Sequence, residues 1–195
     1  MYVCLAEAMP GSKLWEGIRT FDDAVFGFVS GCISEGLTRF MKAATFLGSE
    51  WCIAFLAVMV PALIFILKKK KYYRHGLLLS ANIALGALFN QVLKLVFRRP
   101  RPDVLRLVEQ SGYSFPSGHA MNSMIFYGLA AYLLVRRGRH WSRYLVAGFV
   151  AVLVLLIGLS RIYLGVHYAS DVLAGFLIGA GWLIIAARVS DRIPG

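Results

Sequence analysis

The fold class the sequence predicts is all-α: a polytopic bundle of five transmembrane helices with an N-terminal amphipathic helical segment. Of the 195 residues, 58% are hydrophobic and only 16% are charged, and the mean hydropathy is +0.66. One domain of that makeup is too apolar to stay dissolved in water. Apolar stretches near the length needed to cross about 30 Å of hydrocarbon recur along the chain. Basic residues collect in the gaps between those stretches. Because lipid offers no hydrogen-bond partner to an open backbone, each crossing is read as a helix.

The first fifty residues form a segment of their own. The stretch 21–47 is amphipathic and interrupted by Asp22, Asp23, Glu35, Arg39 and Lys42, so it is not read as a span. Residues 1–20 lack the continuous apolar core of a signal peptide. With six acids against four bases, residues 1–50 are expected to lie in the outer interface. The domain that follows, 51–195, carries spans at 51–67, 76–97, 118–135, 144–159 and 168–187. Between the first two spans stand Lys68, Lys69, Lys70, Lys71 and Arg74, and between the third and fourth Arg136, Arg137, Arg139 and Arg143. The positive-inside rule sets those loops, and the tail with Arg188 and Arg192, on the cytoplasmic side. A net charge of +11 distributed this way points to a membrane and away from nucleic acid. Cys4, Cys32 and Cys52 fit no metal spacing or disulfide framework and read as small apolar residues.

Charged groups at depth in lipid are costly, so those that persist at span ends are candidates for work. Lys94 ends the second span, His119 opens the third, Arg161 follows the fourth, and His167 and Asp171 begin the fifth. In the topology above all five face outward. A transporter or proton relay spreads such groups through the midplane, whereas clustering at helix ends points to a pocket open to the surface.

Each group has a chemistry. His167 and Asp171 are four apart, on one helix face, where the carboxylate can accept the Nδ1 proton and leave Nε2 free as base or nucleophile. Pro116-Ser117-Gly118-His119 leads into the third span, with Ser117 near the N-cap and Gly118 permitting close backbone approach, where free amides bind an anion. Arg98-Arg99-Pro100-Arg101-Pro102 stops the second helix and turns Arg101 toward the mouth Lys94 reaches; an arginine fork and a lysine suit phosphate oxygens. Arg98, Arg99 and Arg106 read as juxtamembrane anchors for lipid headgroups. Asn122 and Tyr163 read as polar residues packing helices together.

Lys94 with six residues to Arg101-Pro102, then Pro116-Ser117-Gly118-His119, then Ser160-Arg161 with five residues to His167 and three to Asp171, resemble the three signature motifs of the type 2 phosphatidic acid phosphatase superfamily. That superfamily also includes acid phosphatases and vanadium haloperoxidases. The resemblance covers roughly residues 46–190. Membrane members commonly have six spans, so the first family helix is absent here or replaced by the amphipathic segment. Arg99-Pro100 is a second arginine-proline pair, and only Arg101 has the family spacing. Around the second motif, residues 114–122 most resemble the phosphatidylglycerophosphatase B-like and undecaprenyl diphosphate phosphatase-like branch.

The resemblance implies a lipid phosphatase in the plasma membrane of a bacterial-type cell, with its active site on the extracytoplasmic face. It implies attack by His167, orientation by Asp171, acid catalysis by His119, and phosphate binding by Lys94, Arg101, Ser117, Gly118 and Arg161. Phosphatidylglycerophosphate, undecaprenyl diphosphate and phosphatidate are the candidate substrates. A non-catalytic lipid-binding or lipid-moving protein and a vanadate-dependent haloperoxidase are the alternatives from other classes. Oligomeric state is not encoded in any motif. No metal or cofactor is expected, because three fixed cations stand where many phosphoryl-transfer enzymes use magnesium, and Asp103, Glu109 and Asp171 are scattered. Phosphate release is therefore expected to persist in excess EDTA; a strict magnesium requirement in that assay would overturn the expectation.

Overall fold

The computed structural model describes residues 13–137 and 141–192, so Cys4 and Arg139 lie outside the described residues. Among the described residues there are seven helices: α1 (Lys13–Ser30), α2 (Glu35–Leu47), α3 (Glu50–Ile66), α4 (Lys70–Phe97), α5 (Gly118–Arg137), α6 (Ser142–Tyr163) and α7 (Ala169–Asp191). The amphipathic stretch 21–47 is two helices, separated by a turn and restarted by Ser34, whose hydroxyl accepts from the Leu37 amide at 3.4 Å. Ser49 does the same for α3, accepting from Cys52 N at 3.2 Å.

Helices stand at all five places where spans are expected. Three are long and apolar enough to cross a membrane: Tyr72–Phe97, Arg143–Tyr163 and Ala169–Asp191. A fourth crossing arises if α2 and α3, which meet at an angle of 44°, count as one broken span. Length and composition alone therefore pick out fewer than five, for two physical reasons. α3 has 17 residues and starts at an elbow. α5 begins with Gly118, His119, Asn122 and Ser123 because it is the central helix, packed by α3, α4, α6 and α7, and faces protein more than lipid.

The polarity of the bundle follows from its solvent. Leu85, Leu88 and Val92 on α4, Phe149 and Val152 on α6, and Leu177 and Ile184 on α7 project outward. Asn82, Asn90, Asn122 and Ser123 are buried, and Asn82 accepts from Trp182 Nε1 at 2.9 Å, a polar contact between helices that lipid would not replace. The apolar core joins Ile53, Leu79, Ile83, Met121, Ile125 and Leu129. Tyr163 fastens α2 to α6, its hydroxyl 2.9 Å from Thr38 Oγ1 and 3.2 Å from Ser34 O, which bears out its reading as a packing residue.

α5 and α7 approach most closely where glycines recur four apart on α7. A Cβ built on Gly175 would stand 2.8 Å from Ser117 O and 3.1 Å from Ala120 Cβ, and one on Gly179 would stand 2.9 Å from Met121 O. Only hydrogen fits, because the obstacles are backbone. This contact fixes the start of α7 against the start of α5. Gly175→Val is expected to lower the melting temperature of the detergent-solubilised protein, with an overpacking cost of about 1–3 kcal/mol. Gly181→Ala, where nothing lies within 4 Å, is expected to leave it unchanged.

Candidate active site

The site is built from helix ends at one end of the bundle. α4 carries Lys94 in its last turn and stops at Arg98, which takes the left-handed conformation (φ 45°) while its amide caps Lys94 O at 2.9 Å. Pro100 and Pro102 then prevent helix from resuming. Lys94 Nζ donates to Tyr113 O at 3.1 Å. Arg101 is buried in the loop that follows. Its Nε and Nη2 donate to the carbonyls of Ser111 and Gly112 at 2.9–3.2 Å, and its Nη1 donates to Val166 O at 2.8 Å and lies 3.2 Å from His167 Nε2.

α6 carries Arg161 in its last turn. Its two terminal nitrogens donate to Thr45 Oγ1 on α2 and to Gln110 Oε1 in the α4–α5 loop, both at 2.8 Å. The turn from α6 to α7 needs Gly165 at φ +71°, where a Cβ would strike Leu105 O at 2.4 Å, so the α4–α5 loop lies directly over the turn holding His167.

His167 is 3% exposed and Asp171 is 0% exposed. Nδ1 lies 3.5 Å from Asp171 Oδ2 and 3.3 Å from Ser114 Oγ, and Ser114 Oγ donates to Asp171 Oδ2. The expected pairing of His167 with Asp171 is present, with Ser114 inserted as a bridge. With the proton on Nδ1, Nε2 keeps its unshared pair and turns it toward Arg101. Burial holds the His167 imidazole below its ordinary value, at about 4, outweighing the upward pull of the Asp171 carboxylate.

At the head of α5, Ser117 is fully buried, its amide donates to Asp171 O at 3.1 Å, and its hydroxyl has no hydrogen-bond partner among the described residues. Gly118 sits against Asn90, where a Cβ would be 3.0 Å from Oδ1. His119 is half-buried, within electrostatic reach of Lys94, Arg101, Arg161 and His167. All eight residues singled out from the sequence thus fall at the same end of the bundle. The arrangement offers an anion three cations, a hydroxyl, an amide and a neutral imidazole nitrogen in a site largely shielded from water.

Beside it, between α3 and α4, lies a mostly apolar cavity of about 550 Å³ that Glu50 and Gln91 line near the site and Val58 and Leu88 line toward lipid. Asn90 on α4 lines the cavity and donates from Nδ2 to Pro116 O at 3.5 Å.

A model of the PAP2 superfamily matches residues 75–193. Phosphatidylglycerophosphatase B of Bacillus subtilis is 40% identical to this chain over 181 residues, covering 90% of this chain and 86% of that protein. The chain belongs to the PAP2 superfamily. It is a membrane lipid phosphatase. An undecaprenyl-diphosphatase of Sulfolobus acidocaldarius is 27% identical over 152 residues, covering 75% of this chain and 69% of that protein. The crystal structure of the first transmembrane PAP2 type phosphatidylglycerolphosphate phosphatase from Bacillus subtilis superposes with a TM-score of 0.84 at 32% identity, covering 97% of this chain and 92% of that one. The family model begins within α4, yet the superposition takes in the N-terminal helices as well.

One expectation about this PAP2 phosphatase is corrected by its structure. Arg99 is not a headgroup anchor. It is buried, with Nη1 2.6 Å from Asp171 Oδ1 and Nη2 2.8 Å from Asp22 Oδ2, and its guanidinium lies 3.9 Å from the Tyr168 ring centroid. Arg98 and Arg106 instead donate to nearby backbone carbonyls, Leu95 O and Pro102 O. Ser114, Arg99, Asp22, Thr45 and Gln110 are the site neighbours the sequence reading missed. Ser114, two residues before one motif, and Arg99, two residues before Arg101, stood where a local signal could have flagged them.

Any reaction that uses the Nε2 pair of His167 requires the neutral ring. Protonation sets in as pH falls through about 4, so kcat/KM is expected to decline on that acid side, with no His167 step near neutral pH. A pH profile of phosphate release checks this; an acid limb at the ordinary histidine value of about 6.5 that moves on replacement of His167 would contradict it.

Proposed function

We propose that this lipid phosphatase removes the terminal phosphate of a lipid phosphate or diphosphate in two displacements through a phosphohistidine at His167. The observation that carries the reading is the His167 ring, held at Nδ1 by Ser114 and Asp171 and turned at Nε2 toward the cation cluster. In the first step Nε2 attacks phosphorus, the bond to the leaving oxygen breaks, and protonated His119 gives that oxygen its proton. In the second, water attacks the phosphorus, His119 takes the water's proton, and the N–P bond breaks to release inorganic phosphate and free His167.

The equatorial oxygens of the phosphoryl group are held by Lys94, Arg101, Arg161, the Ser117 hydroxyl and the Gly118 amide. The phosphoryl group replaces His167 Nε2 as the acceptor of Arg101 Nη1. Supporting this role for Ser117 is its buried hydroxyl, which has no partner among the described residues, since such groups are rare unless a ligand completes them.

The substrate read as best fitting is phosphatidylglycerophosphate, on the strength of the 40% identical relative; undecaprenyl diphosphate and phosphatidate are the other members of the panel. A phosphorylated amphiphile suits the geometry, because the apolar cavity between α3 and α4 runs from the polar site to lipid-facing Val58 and Leu88. Read as five crossing helices, α3 to α7 put Lys68, Arg74, Arg136 and Arg143 at the end opposite the site. By the positive-inside rule the site then faces the extracytoplasmic side of a plasma membrane. Residues 1–50 form the interfacial segment and 51–195 the catalytic domain.

The test is phosphate release from phosphatidylglycerophosphate, undecaprenyl diphosphate and phosphatidate in mixed micelles, with wild type and His167→Ala. Turnover is expected with wild type, fastest on phosphatidylglycerophosphate, and a loss beyond about a thousandfold in the variant, the scale of deleting a nucleophile. Retained turnover in folded His167→Ala would sink the phosphohistidine.

A further inference from the structure

Two buried residues outside the three motifs join the N-terminal helix to the nucleophile. We infer that Asp22 and Arg99 are positioning residues for catalysis: Asp22 on α1 fixes the Arg99 guanidinium, Arg99 fixes the Asp171 carboxylate, and Asp171 with Ser114 fixes the His167 ring. The inference rests on the reading of His167 as nucleophile.

The chain of contacts is continuous. Asp22 is 3% exposed although it lies on an amphipathic helix whose neighbour Asp23 faces out. Its Oδ2 accepts from Arg99 Nη2 at 2.8 Å and from Ser170 Oγ at 2.7 Å, and its Oδ1 accepts from the Ser170 amide at 2.7 Å. Arg99 Nη1 donates to Ser170 Oγ at 2.8 Å and to Asp171 Oδ1 at 2.6 Å. The guanidinium plane is backed by the Tyr168 ring at 3.9 Å and the Trp15 ring at 5.5 Å. Asp171 thereby presents Oδ1 to Arg99, while Oδ2 accepts from Ser114 Oγ and from the Tyr168 amide at 3.0 Å. Each oxygen of the carboxylate has a separate set of donors, so its plane cannot rotate without breaking one of them.

Two facts argue for a role in catalysis beyond holding α1 in place. A buried ion pair is a poor device for stability alone, because desolvation of both charges opposes their attraction. This pair is also asymmetric: a helix could be docked by Asp22 and Ser170 only, yet the arginine is placed with one nitrogen on each carboxylate. The geometry transmits the position of α1 to the carboxylate that aligns the nucleophile, 149 positions along the chain from Asp22 by residue number.

Phosphate release from phosphatidylglycerophosphate in mixed micelles is measured for Asp22→Asn, Arg99→Gln and the double variant, with melting temperatures recorded alongside. Each single variant is expected to lower kcat by about tenfold or more, the scale of removing a partner that orients a reactive histidine, with KM changed by less than about twofold. The double variant is expected to be no worse than the poorer single one, since both act through one contact. Asp191→Asn, which breaks the 2.6 Å pair with Arg136 near the other end of α7, is the control expected to keep wild-type kcat. A folded Asp22→Asn protein with wild-type kcat, or single effects that multiply in the double variant, would overturn the inference while leaving wild-type phosphatase activity standing. If Asp22→Asn does not fold, Ser170→Ala is read instead: it keeps both charges and removes the hydroxyl they share, so a fall in kcat at constant KM supports the inference and an unchanged kcat overturns it. A wild type without turnover would overturn the phosphatase reading, and this inference with it.

Discussion

Four cations are drawn to one end of an apolar bundle, and the rest of the molecule is arranged so that they can stay there. Lys94, Arg99, Arg101 and Arg161 repel one another, and the medium around them screens charge poorly. Asp171 and Asp22 are the carboxylates in contact with them, both through Arg99. The other three cations are met mainly by neutral oxygens: Tyr113, Ser111, Gly112 and Val166 carbonyls, the Gln110 amide and the Thr45 hydroxyl. Neutral dipoles satisfy hydrogen bonds without cancelling charge. In the proposed function an incoming phosphate meets this surplus of fixed positive charge without reorganisation, which is the condition for strong electrostatic stabilisation of a transferring phosphoryl group.

Holding that surplus requires rigid supports, and the fold supplies them at helix termini. Lys94 is set by the end of α4, Arg161 by the end of α6, and His167 and Asp171 by the junction into α7. The close glycine contact of α7 with α5 locks the start of α7 to the start of α5, and the Ser117 amide to Asp171 carbonyl bond ties the same two through the backbone. The α4–α5 loop, lying over Gly165, supplies most of the carbonyls and the Gln110 amide that the cations need. Near the other end of α7, Arg136 meets Asp191 at 2.6 Å in a part-exposed pair, in keeping with a role at the membrane surface.

The helices were legible because lipid imposes a simple rule on composition, and the site residues because each stands at a point where an apolar run stops. That rule weakens where a helix faces protein. α5 carries His119, Asn122 and Ser123 toward its neighbours, and so falls short of the apolarity of a lipid-facing span despite lying at the centre. The amphipathic start forms α1 and α2, but its inward Asp22 looked like its exposed neighbour Asp23, because helical periodicity cannot tell which polar residue has a buried partner. That partner, Arg99, is 77 residues away.

By itself, then, the sequence determined the helical class and singled out His167, Asp171, His119 and their cations as one cluster at helix ends, because spacing along a helix and the position of a helix end are local properties. What each charge touches was decided by the tertiary structure alone. Arg99 and Arg101 have near-identical surroundings in the chain, each before a proline, but one is braced between two carboxylates and the other lies against His167. The difference arises from contacts with α1, α7 and the turn before it, and no local pattern carries information about residues that only folding brings near.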